Sequence, residues 1–514
     1  MLPEVFKVPV LEDYGVSATT GFLPEVLPLT RLPDPYYHKW EAIVSELQAL
    51  ILSRRIRAVA DKLPVLSTAG LEHDSEWRRA YSLLSFMAHA YIWGGDSPAD
   101  KLPASISAPL IQVAEHLQLP PVATYAALCL WNFKPIFNDE PIDDLDNLAT
   151  LNTFTGSLDE SWFYLVSVAI EARGAPILPT MMTAIEAARR GDSETVTLCL
   201  RSFAERLTDL TNILQRVHEN CDTSIFYHRI RPFLAGSKNM AEAGLPRGVM
   251  YEDVDGNTSY RQYSGGSNAQ STLIQFFDVI LGIEHRPTGQ KRGAALGKDG
   301  AAPKHNFIAE MRDYMPRGHA LFLADVAKVA NIRPFVESRK DDAALSLAYD
   351  ACLAMLSAFR DKHINIVTRY IVMKARQARA RSRSRSPQAS RQRMNLATAS
   401  TNNQRDRSDK EEARAKDLTG TGGTSLLPFL KQARDETGEP AVAEWTRAFM
   451  DKKGRAGGSH AKPLETRQTE PEPEPEEVPE KVLEKQPSDG ATAGLNGLAV
   501  SWAIDEECGG ICNF

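Results

Sequence analysis

Long hydrophobic runs are missing from this 514-residue chain. No stretch of about 18 uninterrupted apolar residues occurs, so the sequence predicts no membrane-spanning helix. Met1 to Val10 lacks the basic start, apolar core and small-residue cleavage site of a secretory leader. Cysteine is scarce: Cys129, Cys199, Cys221, Cys352, Cys508 and Cys512 form no CxxC pair and no zinc spacing. Two cysteines near the end make no closed metal site, and a reduced, cytoplasmic chain is the expectation. Charge of one sign is also missing. Lys+Arg 59 against Asp+Glu 66 gives a net −7, which argues against a nucleic-acid or membrane surface spread over the whole chain. Strand-type alternation is absent, and so are HExxH, His-x-His, GxSxG and GxxxxGK[ST]. Non-haem metal sites, hydrolase elbows and P-loops therefore have little support.

What is present is helical periodicity over a 43% hydrophobic chain, enough for a sizeable core. The fold class expected is all-α. Residues 1–35 carry Pro3, Pro9, Pro24, Pro28, Pro33 and Pro35 and read as an extended entry arm. Trp40, Ile43, Val44, Leu47, Leu50 and Ile51 then make one apolar stripe. Asp74 is placed to cap a helix that stops at Gly94–Gly95. Further helical runs cover Leu158–Arg173, Pro179–Arg190, Ser193–Glu219 and Ser271–Ile283. The longest extends from Asp342 to about Arg376 without a glycine or proline.

Beyond it, residues 377–416 form a basic insert with the repeat Arg381-Ser-Arg-Ser-Arg-Ser. Eight basic residues and no acidic one lie between Lys374 and Arg393. Residues 438–514 form a tail with eight glutamates between Glu465 and Glu484. Neither the insert nor the tail after about Gly454 buries enough apolar area to offset its ordering entropy, so the insert and most of the tail are predicted to be disordered. Between them lies Gly420-Thr421-Gly422-Gly423-Thr424 with an amphipathic helix over Ser425–Glu436, read as a lid in residues 417–437.

His363 sits mid-helix on a face shared with Cys352, Leu356, Phe359, Ile366, Val367 and Tyr370. Two readings stay open on spacing alone. One is a core histidine satisfied by a hydrogen bond; the other is a haem ligand, a neutral imidazole on a rigid helix in an apolar slot. Arg360, one turn earlier, is either a solvated arginine or a partner for a haem propionate. His89, among Phe86, Tyr91 and Trp93, and His319, after Met315-Pro-Arg-Gly, compete with His363.

A set of segments bears on the choice. They are Ser357-Ala-Phe-Arg-Asp-Lys-His363-Ile-Asn-Ile-Val-Thr-Arg-Tyr370, Tyr263-Ser-Gly-Gly-Ser-Asn-Ala-Gln-Ser-Thr272 with Phe276-Phe277-Asp278, and Met311-Arg-Asp-Tyr-Met-Pro316. Phe226 to Lys238, Phe163 to Ser167, Pro120–Pro121 with Tyr125, and the Gly420–Thr424 loop join them. In order and spacing the chain resembles the indoleamine 2,3-dioxygenase family over residues 36–376 and 417–437. The resemblance implies a two-domain helical fold, with a small domain at 36–150, a larger one at 151–376 and haem b between them. It also implies conversion of L-tryptophan and dioxygen to N-formylkynurenine, with an electron donor to keep the iron ferrous. By resemblance, His363 is the iron ligand, and Phe163 and Phe226 line the distal pocket. Arg231 pairs with the substrate carboxylate, for which its planar fork is suited. Ser167 and Tyr125 border the dioxygen and substrate space, Gly266 and Ser267 lie at the haem edge, and Thr421 closes over the substrate's amino-acid head. Asn268 stands where better-known members carry a small apolar residue.

Taken singly, these residues also have plain readings: Phe163 and Phe226 as core, Arg231 as surface, Ser167 as helix packing. Two other functions stay in view. One is a haem-binding regulatory protein of the same fold. The other is an interaction protein whose Arg-Ser insert binds RNA or is phosphorylated at Ser382, Ser384 and Ser386, set against a plain solvated linker. A monomer is expected.

Overall fold

Apolar residues at helical spacing dictate the architecture, a stack of helices with little else. The computed structural model describes residues 6–289, 306–383, 420–421, 426–443 and 446, and all of them fall within one compact unit, Met1–Ser459. The first stripe folds as α1 (His38–Ser45) and α2 (Leu47–Leu52), broken at Glu46, with Trp40, Ile43, Val44 and Leu47 buried. Next come α3 (Asp74–Trp93), α4 (Ala104–Leu117), α5 (Leu158–Gly174), α6 (Ile177–Arg190) and α7 (Ser193–Gln215). After these lie α8 (Thr272–Leu281), α9 (Arg317–Val329), α10 (Ala343–Val367) and α11 (Leu426–Thr437). The cap of α3 differs from expectation. His73 holds the N-cap position, and the Glu76 carboxylate reaches back to accept from the backbone N–H of Glu72 and His73. Asp74 becomes the first helical residue, where its charge suits the helix dipole.

α10 is the keel. It packs along α7 on one side and α11 on another, while α7 also lies against α5 and α6. The helical stretch Ala343–Ala378 is long and apolar enough to cross a membrane by length and composition. It sits in the core, where buried Asp350 accepts from the N–H groups of Val442 and Ala443. The helical path runs on through Arg383, past the expected end near Arg376, since nothing before Pro387 breaks it. The rest of the basic insert from residue 384, and the tail beyond residue 446, lie outside the described residues.

Two features escaped the sequence reading. Four short strands pair antiparallel as β1 (Phe133–Pro135) with β2 (Leu148–Thr150), and β3 (Val249–Glu252) with β4 (Thr258–Arg261). Strands of three or four residues are too short to show a period of two. The proline-rich arm is not free either. Leu11, Val16, Phe22, Leu23 and Leu32 are buried, Tyr14 donates to Asp325 at 2.6 Å, and Phe22 meets Phe322 at 6.0 Å.

Three wide turns, Ala126–Leu130, Phe226–Ile230 and Thr368–Val372, interrupt regular winding. Each closes on a bond from a backbone N–H to the carbonyl five residues back: Trp131 to Ala126, Arg231 to Phe226, Met373 to Thr368. Such turns gather at functional sites, and these three border one cavity.

Candidate active site

A chamber of about 1250 Å³, including the space open at its mouth, lies between α5, α10, α11 and the three wide turns. A neighbouring void of about 920 Å³ shares Tyr125, Ser167, Leu214, Asn268, His363 and Phe429 with it. The first is lined mainly by apolar side chains. Its walls bring together Tyr125, Phe163, Ser167, Phe226, Arg231, Gly266, Ser267, His363 and Thr421. Arg360 faces the second void.

His363 is half-buried because one side of its ring meets open space rather than packed atoms. Neither ring nitrogen has a hydrogen-bond partner among the described residues. Burial, helped by the nearby Arg360 charge, lowers its pKa to about 4, so the imidazole is neutral near pH 7 and its lone pair is available. The competitors behave differently. His89 Nδ1 donates to the Phe233 carbonyl at 2.7 Å, and its Nε2 accepts from the Ala123 N–H at 3.1 Å. His319 is buried against Phe22 at 5.0 Å between ring centres. Both are core residues, away from the chamber.

Facing His363's helix, the Phe163 and Phe226 rings lie 4.7 Å apart at 50°, and Phe226 meets Tyr370 edge-on at 5.6 Å. Arg231 is 5% exposed, with its guanidinium 5.8 Å from the Tyr227 ring. Burial lowers its pKa, opposed by Tyr227. The plain reading of Arg231 as a surface residue is overturned: the wide turn at Phe226–Ile230 carries it inward. Among the described residues, the chamber lining holds no carboxylate.

Gly266 is crowded by the protein itself. A Cβ there would come within 2.3 Å of Leu128 Cδ1, so a larger residue would push a chamber wall aside. Thr421 donates from Oγ1 to the Gly266 carbonyl at 2.9 Å, and Gly265 N–H donates to the Thr421 carbonyl at 3.1 Å. These two bonds strap the described start of the glycine loop across the chamber.

Arg360 does not project freely. Its guanidinium grips Asp278 at 2.5 and 2.7 Å and also bonds the Ala433 carbonyl and Thr437 hydroxyl of α11. His285 bridges Asp278 (2.9 Å) and Glu436 (2.7 Å). Burial alone would lower the His285 pKa, but the Asp278 and Glu436 carboxylates outweigh it and raise it. Burial likewise works against the Asp278 carboxylate, and Arg360 with His285 hold its pKa down. This cluster clamps α11 to α10. Replacing Asp278 with alanine leaves the buried Arg360 guanidinium and the His285 ring without their shared partner, a loss of about 3–5 kcal/mol. A urea titration of D278A should show a lowered midpoint, and an unchanged midpoint would refute the clamp.

Sequence reasoning missed Phe429 and Leu430 of α11, which close the chamber beside Leu426. Their spacing at 426, 429 and 430 was the available signal. It also passed over Glu171, one turn beyond Ser167.

The described residues contain no cluster of three or more His, Cys, Asp or Glu side chains able to hold a bare metal ion. The fold and site define a helical protein built around an apolar chamber, with one imidazole on its wall that has no hydrogen-bond partner among the described residues. The family model for indoleamine 2,3-dioxygenase matches residues 10–440. Indoleamine 2,3-dioxygenase of Saccharomyces cerevisiae is 42% identical over 84% of this chain and 93% of its own length. Indoleamine 2,3-dioxygenase nanC of Aspergillus nanangensis is 41% identical over 83% of this chain and 96% of its own. The 6-hydroxytryptophan 2,3-dioxygenase fscD of Fusarium equiseti is 37% identical over 84% of this chain and 98% of its own. The chain belongs to the indoleamine 2,3-dioxygenase family, and is therefore an oxidoreductase of the dioxygenase class.

Proposed function

We propose that this chain is a cytoplasmic, monomeric, haem b-dependent enzyme that inserts dioxygen across the indole C2–C3 bond of L-tryptophan, giving N-formylkynurenine. The observation that carries the reading is the His363 imidazole, without a hydrogen-bond partner among the described residues, facing a chamber lined by Phe163, Phe226, Ser167 and Arg231. The residues fit the cofactor: His363 would hold the iron, and the Gly266–Ser267 backbone would lie along the porphyrin edge. Arg360 supports the ligand helix through Asp278. When bound, ferrous haem supplies dioxygen activation, and an electron donor keeps it ferrous.

The chain's own side chains do the rest. Phe163 and Phe226 fix the plane of the indole, Arg231 takes the substrate carboxylate as a two-pronged fork, and Thr421 covers the amino-acid head. Tyr125 and Ser167 bound the reacting space. Phe429 and Leu430 exclude water. Among the described residues the first chamber's lining holds no carboxylate to abstract a proton, which suits an electron-rich indole that needs orientation rather than a strong base. In this reading residues 36–150 and 151–376 are the small and large domains flanking the haem, and 417–437 the lid.

The test is an optical spectrum of the purified, haem-reconstituted protein before and after L-tryptophan and a reductant, followed by product analysis in air. A Soret band that shifts with tryptophan, and N-formylkynurenine that accumulates, are expected. Failure to take up haem ends the reading. Haem without turnover would leave a haem-binding protein of the same fold.

A further inference from the structure

Glu171 lies on α5 one turn past Ser167, is 1% exposed, and has no part in the roles above. Its Oε1 accepts from the Tyr125 hydroxyl at 3.0 Å and the Ser271 hydroxyl at 2.6 Å. Its Oε2 is enclosed and has no hydrogen-bond partner among the described residues. A carboxyl so placed is costly, and a glutamine or leucine would fill the space more cheaply.

Its bonds lead somewhere specific. The Tyr125 backbone N–H donates to Gln270 Oε1 at 2.8 Å, and Gln270 Nε2 donates to the Gly265 carbonyl at 2.9 Å. Gly265 N–H in turn donates to the Thr421 carbonyl at 3.1 Å. Hydrogen bonds, joined through the covalent frame of Tyr125 from its hydroxyl to its backbone N–H and through Gly265, thus connect the buried carboxyl to the threonine strapped across the opening. Ser271 adds a branch. It caps α8, accepting from the Ile274 N–H at 3.3 Å, so the carboxyl also anchors the helix that carries Asp278.

We propose that Glu171 is a positioning residue: through Tyr125, Gln270 and Gly265 it sets where Thr421 closes, so that tryptophan affinity depends on its charge. The proposal rests on the reading of the chamber as the tryptophan site. Burial pushes the carboxyl up to about 7, against the lowering effect of the Ser271 and Tyr125 hydroxyls. The titratable groups that face it are Tyr125 and Cys129, both raised far above neutrality by burial, and α8 presents only Ser271. Glu171 is therefore the group of this cluster that changes charge near neutral pH. As a carboxylate it receives two charge-assisted bonds; protonated, it holds Tyr125 and Ser271 less firmly.

The experiment uses the full-length, haem-loaded protein with E171Q, E171L, T421A and the double variant E171L/T421A. Soret absorbance, kcat and KM for L-tryptophan are read from about pH 6 to about pH 8. In the unsubstituted protein KM is expected to rise as pH falls through about 7. E171Q should keep haem and show a KM that no longer varies with pH, because the amide accepts the same bonds and cannot titrate. E171L should raise KM about tenfold with kcat within about twofold. The double variant should be little worse than the poorer single variant, because both changes cut one series of bonds. Additive KM effects, or the same pH dependence of KM in E171Q and the unsubstituted protein, overturn the proposal. Should E171L lose haem, the E171Q profile decides alone. Should the unsubstituted protein bind haem without turnover, the tryptophan-induced Soret shift gives Kd in place of KM. The inference about Glu171 then stands or falls on that Kd, separately from the enzymatic reading.

Discussion

Replacing His363 with alanine is expected to abolish haem retention and tryptophan turnover while leaving the apoprotein folded. A histidine that filled a packed core would behave in the opposite way. Its removal would open a cavity, at a cost of about 2–5 kcal/mol for a truncation of that size. Here one side of the ring already faces open space, and no hydrogen bond to another described residue is lost when it goes. The melting temperature of the apoprotein should therefore stay within about 3 °C of the unsubstituted value. The measurements are Soret absorbance after reconstitution, and a thermal scan of both apoproteins. Normal haem content in H363A would place the ligand elsewhere. A large drop in apoprotein stability would return His363 to the core.

Arg231 gives the second large effect. R231A should lower kcat/KM for L-tryptophan about a hundredfold or more, with haem content unchanged. Bonds to charged groups are worth about 1.5–3 kcal/mol each, and a bidentate grip on a carboxylate loses two. The guanidinium is buried beside the Tyr227 ring on a chamber wall, and no other lysine or arginine is among the described residues of that lining. R231K keeps charge without the planar fork and should recover only part of the loss. Steady-state kinetics with L-tryptophan, and with tryptamine, which has no carboxylate, separate the roles. If R231A reduces both substrates equally, the residue does not read the carboxylate.

How legible this was in the sequence varies with the physics involved. Helices repeat every 3.6 residues, so α5, α6 and α7 could be read within a few residues of their ends, and α10 at its start though not at its end. β1 to β4 could not, because three or four residues carry no measurable period. His363 could be placed on an apolar face, but periodicity could not show whether its ring was satisfied. That depends on elements hundreds of residues apart that decline to approach it. Arg360 shows the same limit in reverse. Its partner Asp278 lies 82 positions away, and only tertiary structure reveals that the guanidinium is engaged. Arg231 was misjudged on its own merits, since an arginine before a proline gives no hint of a wide turn that carries it inward. The family resemblance supplied the roles of Phe163, Phe226, Ser167 and Thr421, and the structure places them around one space.

The three wide turns have a wider consequence. A turn with one residue more than regular winding requires rotates everything after it by about 100°. Phe226 opens one such turn, and Tyr370 and Ile371 lie within another. Shortening either segment by one residue would restore ordinary helical bonding locally and swing aromatic surface out of the void. The outline of the chamber is thus encoded as an insertion count in the backbone, which side-chain substitution alone cannot reproduce or repair.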